Sequence, residues 1–178
     1  MNVELKNKEP QESQESDTLS DILKGAVAGL MATIPMTVSM LLMHRLLPRE
    51  QQYPLPPREI METAVNKAEE KAEETGAKEH LDEQERTVAT WVSHFAYGAS
   101  VGALYAPVAK KIPIPLELSG IAFGLAVWAG SYLGWLPAMR ILHPEEEHPA
   151  RHALMIAAHV VWGSSMGALL GDSKRKAL

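Results

Sequence analysis

Apolar residues fall into four long blocks. No Asp, Glu, Lys or Arg interrupts residues 25–43, 87–109, 118–139 or 152–171, runs of 19, 23, 22 and 20 residues. A bilayer core takes about 20 apolar residues per helix. A soluble bundle would carry a polar stripe on each helix, and these blocks have none. The pattern predicts an all-α polytopic membrane protein, a four-transmembrane-helix bundle over residues 21–172. Its spans are expected at about 22–47, 87–109, 116–142 and 150–171.

The polar segments complete the layout. Residues 1–20 carry scattered charge and no basic-then-apolar leader pattern, which predicts a disordered tail rather than a cleaved signal. The polar insertion 48–86 opens as proline-stiffened chain through Pro48, Pro54, Pro56 and Pro57. It then becomes helical, with Ile60, Met61, Ala64, Val65, Ala68 and Ala72 on one face and Gly76 as the stop. That helix either caps the bundle or lies solvated beside it. Asp82 and Glu85 have the spacing of a capping box at the start of the second span. Pro35 is expected to kink the first span, with Thr33 and Thr37 placed to satisfy the freed carbonyl. Trp128, Tyr132, Trp135 and Trp162 suit either interfacial anchoring or packing. Residues 173–178 form a basic tail.

A segment recurs. His94-Phe95-Ala96-Tyr97-Gly98-Ala99-Ser100-Val101-Gly102-Ala103-Leu104 returns 65 residues later as His159-Val160-Val161-Trp162-Gly163-Ser164-Ser165-Met166-Gly167-Ala168-Leu169. A shorter echo links Gly25-Ala26-Val27-Ala28-Gly29-Leu30 with Gly120-Ile121-Ala122-Phe123-Gly124-Leu125. The bundle therefore reads as two helix-pair repeats. Gly25, Gly29, Gly98, Gly102, Gly120, Gly124, Gly163 and Gly167 are its expected helix-packing faces, serving either one chain or a homo-oligomer.

Composition narrows the chemistry. The chain has no cysteine and a formal charge of -5, so thiolate chemistry and a basic nucleic-acid footprint are both excluded. The expected partner is the lipid bilayer. Lys24, Lys110, Lys111 and the C-terminal Lys/Arg cluster place both termini on the cytoplasmic side by the positive-inside rule. All seven histidines and the run Glu145-Glu146-Glu147 then fall in the opposite half. His94 and His159 lie at matched depth, each eight residues inside an arginine, Arg86 or Arg151.

Several roles fit these histidines. His94 and His159 can hold the repeats in register by hydrogen bonding. With His152 they are candidate proton sensors, because imidazole titrates near neutrality. They are also candidate axial ligands for a cofactor such as haem, and His143, His148 and His152 are candidate metal ligands. No catalytic constellation stands out, so a non-enzymatic protein without a cofactor is expected. A haem- or metal-binding protein and a small transporter remain the alternatives.

The glycine-rich first span, Leu55-Pro56-Pro57-Arg58 and the later apolar spans resemble the YagU-type bacterial inner-membrane family over residues 20–171. The resemblance implies a multi-pass protein of the bacterial plasma membrane and a role in acid resistance. It implies no catalytic residue. The expected function is acid-stress or envelope homeostasis with histidine-linked proton sensing.

Overall fold

The computed structural model describes residues 3–74, 80–141, 143 and 147–175, with side chains from Asp17 to Asp172 among them. Gly76, Glu145, Glu146 and Lys176 lie outside the described residues, so the expected helix stop, most of the glutamate run and the end of the basic tail do as well. Among the described residues the elements are helical and none is a strand. They are α1 (Val3–Leu46), a 3-10 turn (Arg49–Gln51), α2 (Pro56–Glu74), α3 (Glu83–Ala109), α4 (Leu116–Ala129), a π-helical turn (Gly130–Trp135), α5 (Leu136–Ala138) and α6 (Pro149–Arg175).

Three stretches are long and apolar enough to cross a membrane, Asp17–Leu46, Leu116–Ala138 and Pro149–Asp172. The fourth expected span, α3, has 27 residues and is about 40 Å long. Its Thr, Ser, His and Tyr side chains make it too polar to join that set. Lipid-facing character is plain elsewhere, with Val27, Leu42 and Leu133 each more than half exposed.

Local sequence explains the boundaries. Asp82 accepts from the Glu85 amide and the Glu85 carboxylate accepts from the Asp82 amide, both at 2.8 Å, so the expected capping box starts α3. The first helix begins at Val3 rather than near residue 22. Glu, Gln and Lys there have good helix propensity, and extending an existing helix avoids the nucleation cost. Helix α1 also continues through Pro35. The Thr33 hydroxyl donates to the Gly29 carbonyl at 2.8 Å, and the Thr37 hydroxyl has no partner. Neither serves the carbonyl of Met31, the one that Pro35 leaves free by geometry.

The helices pair through glycine. Helix α1 packs closely on α3, α4 on α6, and α1 also contacts α6. A Cβ at Gly29 would overlap the Gly98 carbonyl oxygen, and one at Gly163 would overlap that of Gly120. Gly25 meets Gly102 in the first seam. Gly124 meets the His159 carbonyl and Gly167 that of Leu116 in the second. All eight glycines are thus covered within one chain, which leaves none of these faces open for a second copy. The Trp162 indole on α6 donates to the Gly29 carbonyl on α1 at 3.1 Å and ties the two pairs together.

On the other side of the bundle α3 and α4 barely approach each other. Long tyrosines bridge them instead. The Tyr97 hydroxyl reaches Ser131 at 3.0 Å, and the Tyr105 hydroxyl reaches Ser119 and the Leu116 carbonyl. The resulting gap is the cavity described below.

Substituting Gly29→Val should lower the thermal midpoint of detergent-solubilised protein, followed by circular dichroism, through overpacking worth about 1–3 kcal/mol. Gly130→Ala, where no atom lies within 4 Å of the added carbon, should leave the midpoint unchanged or raise it.

Candidate functional site

A cavity of about 260 Å³ occupies the α3–α4 gap. Its walls come from α1 (Thr33, Met36), α3 (Ser93, His94, Tyr97), the π-helical turn (Ser131, Tyr132, Trp135) and α6 (Met155, His159, Trp162). Pro56, Pro57 and Ile60 of α2 close one side, so the insertion acts as a cap, the first of its two expected roles. Among the described residues, no Asp, Glu, Lys or Arg lines it.

The π-helical turn shapes one wall. The Leu136 amide reaches back to the Ser131 carbonyl, which widens the turn and buries Ser131 and Tyr132. Such turns are inserted where a side chain must be re-aimed. The sequence signals it weakly, through Gly130, Gly134 and Pro137. Of the four aromatics expected to anchor or pack, Trp162 and Tyr132 are 3% exposed and pack, whereas Trp135 is 41% exposed. The Trp128 indole nitrogen is buried without a partner.

His94 and His159, which hold matching positions in the repeated segment, both line this cavity. His159 Nδ1 donates to the Met155 carbonyl at 2.8 Å, which in the neutral ring leaves Nε2 as the lone-pair nitrogen. His94 Nε2 is buried and has no hydrogen-bond partner. The two residues therefore do not owe their place to a mutual register bond. Their surroundings are apolar and aromatic, not the acidic setting the sequence implied.

The acidic groups gather elsewhere, around Arg151. Its side chain is 2% exposed, so it is no interfacial marker of depth. Nε donates to Glu147 at 2.6 Å, and one terminal nitrogen donates to the Tyr53 carbonyl at 3.0 Å and the Gln51 carbonyl at 3.4 Å. The other donates to the Pro54 carbonyl at 2.8 Å and lies 3.6 Å from Glu59. The guanidinium also stacks over the Tyr53 ring at 3.6 Å. Tyr53 donates its hydroxyl to Glu147 at 3.0 Å, and His44 Nε2 donates to the Tyr53 carbonyl at 3.0 Å.

Proline explains why those carbonyls are available. Extended proline-rich chain makes no internal hydrogen bonds, so Tyr53 and Pro54, together with Gln51 at the end of the 3-10 turn, present their carbonyls to the planar fork of an arginine. Two carboxylates face that one cation. Burial raises the Glu59 carboxyl from 4.5 to about 7; Arg151 pulls it down, while Glu147 and Glu62 push it up. Glu59 Oε2 has no hydrogen-bond partner. Burial also raises the Tyr53 hydroxyl, and its bond to Glu147 adds to this.

A second set of ion pairs holds α2 on α3. Arg86 binds Glu69 at 2.7 Å and Asn66 at 2.8 Å, and Arg58 binds Glu83 at 2.8 Å and Thr87 at 3.0 Å. The cap is thus held on α3 by the pairs of Arg58 and Arg86 and on α6 by the buried Arg151.

Among the described residues no group of three or more His, Cys, Asp or Glu could hold an ion. His148 Nδ1 accepts from the Ala150 amide at 3.2 Å at the start of α6. His152 sits edge-on to Tyr132, ring centroids 6.0 Å apart. The Arg151 cluster was missed in the sequence because its partners lie about 90 residues away; only Glu147, four residues before Arg151, hinted at it.

The profile of a family described as "Protein of unknown function (DUF1440)" matches residues 44–168. No curated protein and no solved structure matches the chain.

Replacing Arg151→Met leaves Glu147 buried without its cation and the Gln51 and Pro54 carbonyls without their donor, while the Tyr53 carbonyl keeps His44. Loss of one partner from a buried pair costs about 3–5 kcal/mol. Limited proteolysis should then cut within residues 47–60, a segment that stays resistant in the parent protein. Arg151→Lys should restore little, since an ammonium cannot reproduce the fork.

Proposed function

We propose that this chain, which belongs to the DUF1440 family of proteins of unknown function, is a proton-responsive, non-enzymatic protein of the bacterial inner membrane. In this reading it is a four-span bundle of two helix-pair repeats, with both termini cytoplasmic and the cap on the outer side. It serves acid-stress or envelope homeostasis by closing the cap over the cavity as the outer pH falls. The two glycine seams, one in each pair, support the repeat reading. The likeness of the first span and the Leu55-Pro56-Pro57-Arg58 segment to the YagU-type family supports the location.

The observation that carries the proposal is the Glu59 carboxyl, held at about 7 by burial in the joint between cap and bundle. The groups facing it are Arg151 of α6, Glu147 just before α6, Glu62 of α2, Tyr53, and Tyr132 of the π-helical turn. In the closed state Glu59 binds its proton more tightly than at its ordinary value of 4.5. Closure is therefore favoured fully below about 4.5, weakens as pH rises, and is weakest above about 7. With Glu59 protonated, the single negative charge of Glu147 balances Arg151. With Glu59 ionised, one buried negative charge is left over, and the joint loosens.

The histidine-linked part of the reading is separable. Protonating both His94 and His159 would place two positive charges in one apolar cavity, a second means of changing its shape with pH. Backbone hydrogen-exchange protection of α2, corrected for intrinsic rates, should be higher at pH 5.5 than at pH 8. Glu59→Gln should keep the high protection at both values. A protection factor that does not change with pH in the parent protein would sink the proposal. The double variant His94→Ala, His159→Ala should retain the response if Glu59 drives it, and lose it while still inserting if the imidazoles do.

A further inference from the structure

The cavity, closed on one side by the cap, has a chemical signature of its own. Its volume of about 260 Å³ exceeds the roughly 150 Å³ that accommodates benzene in an apolar protein cavity. A substituted ring fits such a space. Among the described residues no Asp, Glu, Lys or Arg lines the wall, which disfavours ions, phosphates and lipid headgroups. Three aromatic side chains, Tyr97, Trp135 and Trp162, present ring surface to it, and Trp162 is already stacked on Phe123 at 6.3 Å.

Two polar atoms in this apolar wall lack partners. The Tyr132 hydroxyl is buried and unpaired on a side chain 3% exposed, and His94 Nε2 is buried and unpaired as well. Other polar groups of the wall have partners: Thr33 and Trp162 bond the Gly29 carbonyl, Tyr97 bonds Ser131, and His159 bonds the Met155 carbonyl through Nδ1, which leaves its Nε2 as an acceptor. An unpaired buried polar group costs roughly 1–3 kcal/mol. Having two on one cavity points to a ligand that supplies the missing partners. Apolar pockets with a few convergent polar groups are the usual form of small-molecule sites.

We propose that the cavity binds the ring of a bilayer-soluble quinone. The ligand must be neutral, planar and mostly apolar, with oxygen atoms on its ring. Phenol and imidazole can each donate or accept a hydrogen bond. They can therefore donate to the carbonyls of the oxidised ring and accept from the hydroxyls of the reduced one, so both forms are held. A simple alcohol offers one oxygen to two orphan groups and no ring to the tryptophans.

The test uses the full-length protein in lipid nanodiscs. Tryptophan fluorescence is followed while a decyl-substituted dimethoxy-methyl-benzoquinone is added, Trp135 and Trp162 being the reporters. Saturable quenching is expected. Tyr132→Phe and His94→Leu should each weaken binding about three- to tenfold, the worth of one hydrogen bond. Tyr132→Phe removes an unpaired hydroxyl, so its thermal midpoint should be no lower than the parent's, and weaker binding then cannot come from misfolding. Quenching that rises linearly with quinone, as partitioning alone would give, overturns the proposal. So does saturable quenching unchanged in both variants. Equal displacement of the quinone by decanol also overturns it, by showing a general amphiphile pocket.

Discussion

Backbone-to-backbone contact at glycine is the constraint on which the molecule rests. Inside a bilayer the solvent is as apolar as the side chains, so helices gain from close packing rather than from escaping water. At Gly29 against Gly98, and at Gly163 against Gly120, the approach is too close for any side chain carbon. These seams fix α1 on α3 and α4 on α6. The indole of Trp162, donating to the Gly29 carbonyl, then fixes one pair against the other.

That economy has a consequence on the opposite face. Once α1 and α6 meet in the centre, α3 and α4 are held apart, and tyrosine hydroxyls bridge a space that backbone packing does not fill. The cavity is thus a product of how the two pairs dock. Its polar lining follows from the same arrangement, because His94 and His159 begin the repeated segments whose glycines form the seams. The widened turn at Gly130–Trp135 brings Tyr132 inward to join them.

The cap depends on a different kind of energy. A buried guanidinium is tolerated only when its charge is matched and its donors are used. Arg151 meets both conditions by drawing on Glu147, Glu59 and the carbonyls of a proline-stiffened segment. This makes the joint strong and also sensitive, since one cation faces two carboxylates. In the proposed function it is this joint, rather than a group within the apolar spans, that titrates.

Much of the fold was legible in the residue order. Charge-free blocks located the long helices, Asp82 with Glu85 marked the start of α3, and the repeated His-Gly segments identified the packing faces, because each of these rests on local periodicity. The apolar count was less sure for α3, whose polar side chains face a cavity that only the folded bundle creates. Tertiary structure alone decided that His94 and His159 share that cavity with Tyr132, and that Arg151 is buried rather than interfacial. The reason is distance along the chain: Arg151 and the Tyr53 carbonyl are 98 residues apart, and no local pattern encodes such a pairing. Sequence by itself determined which surfaces must be buried; docking of the helix pairs decided which polar groups would be buried with them.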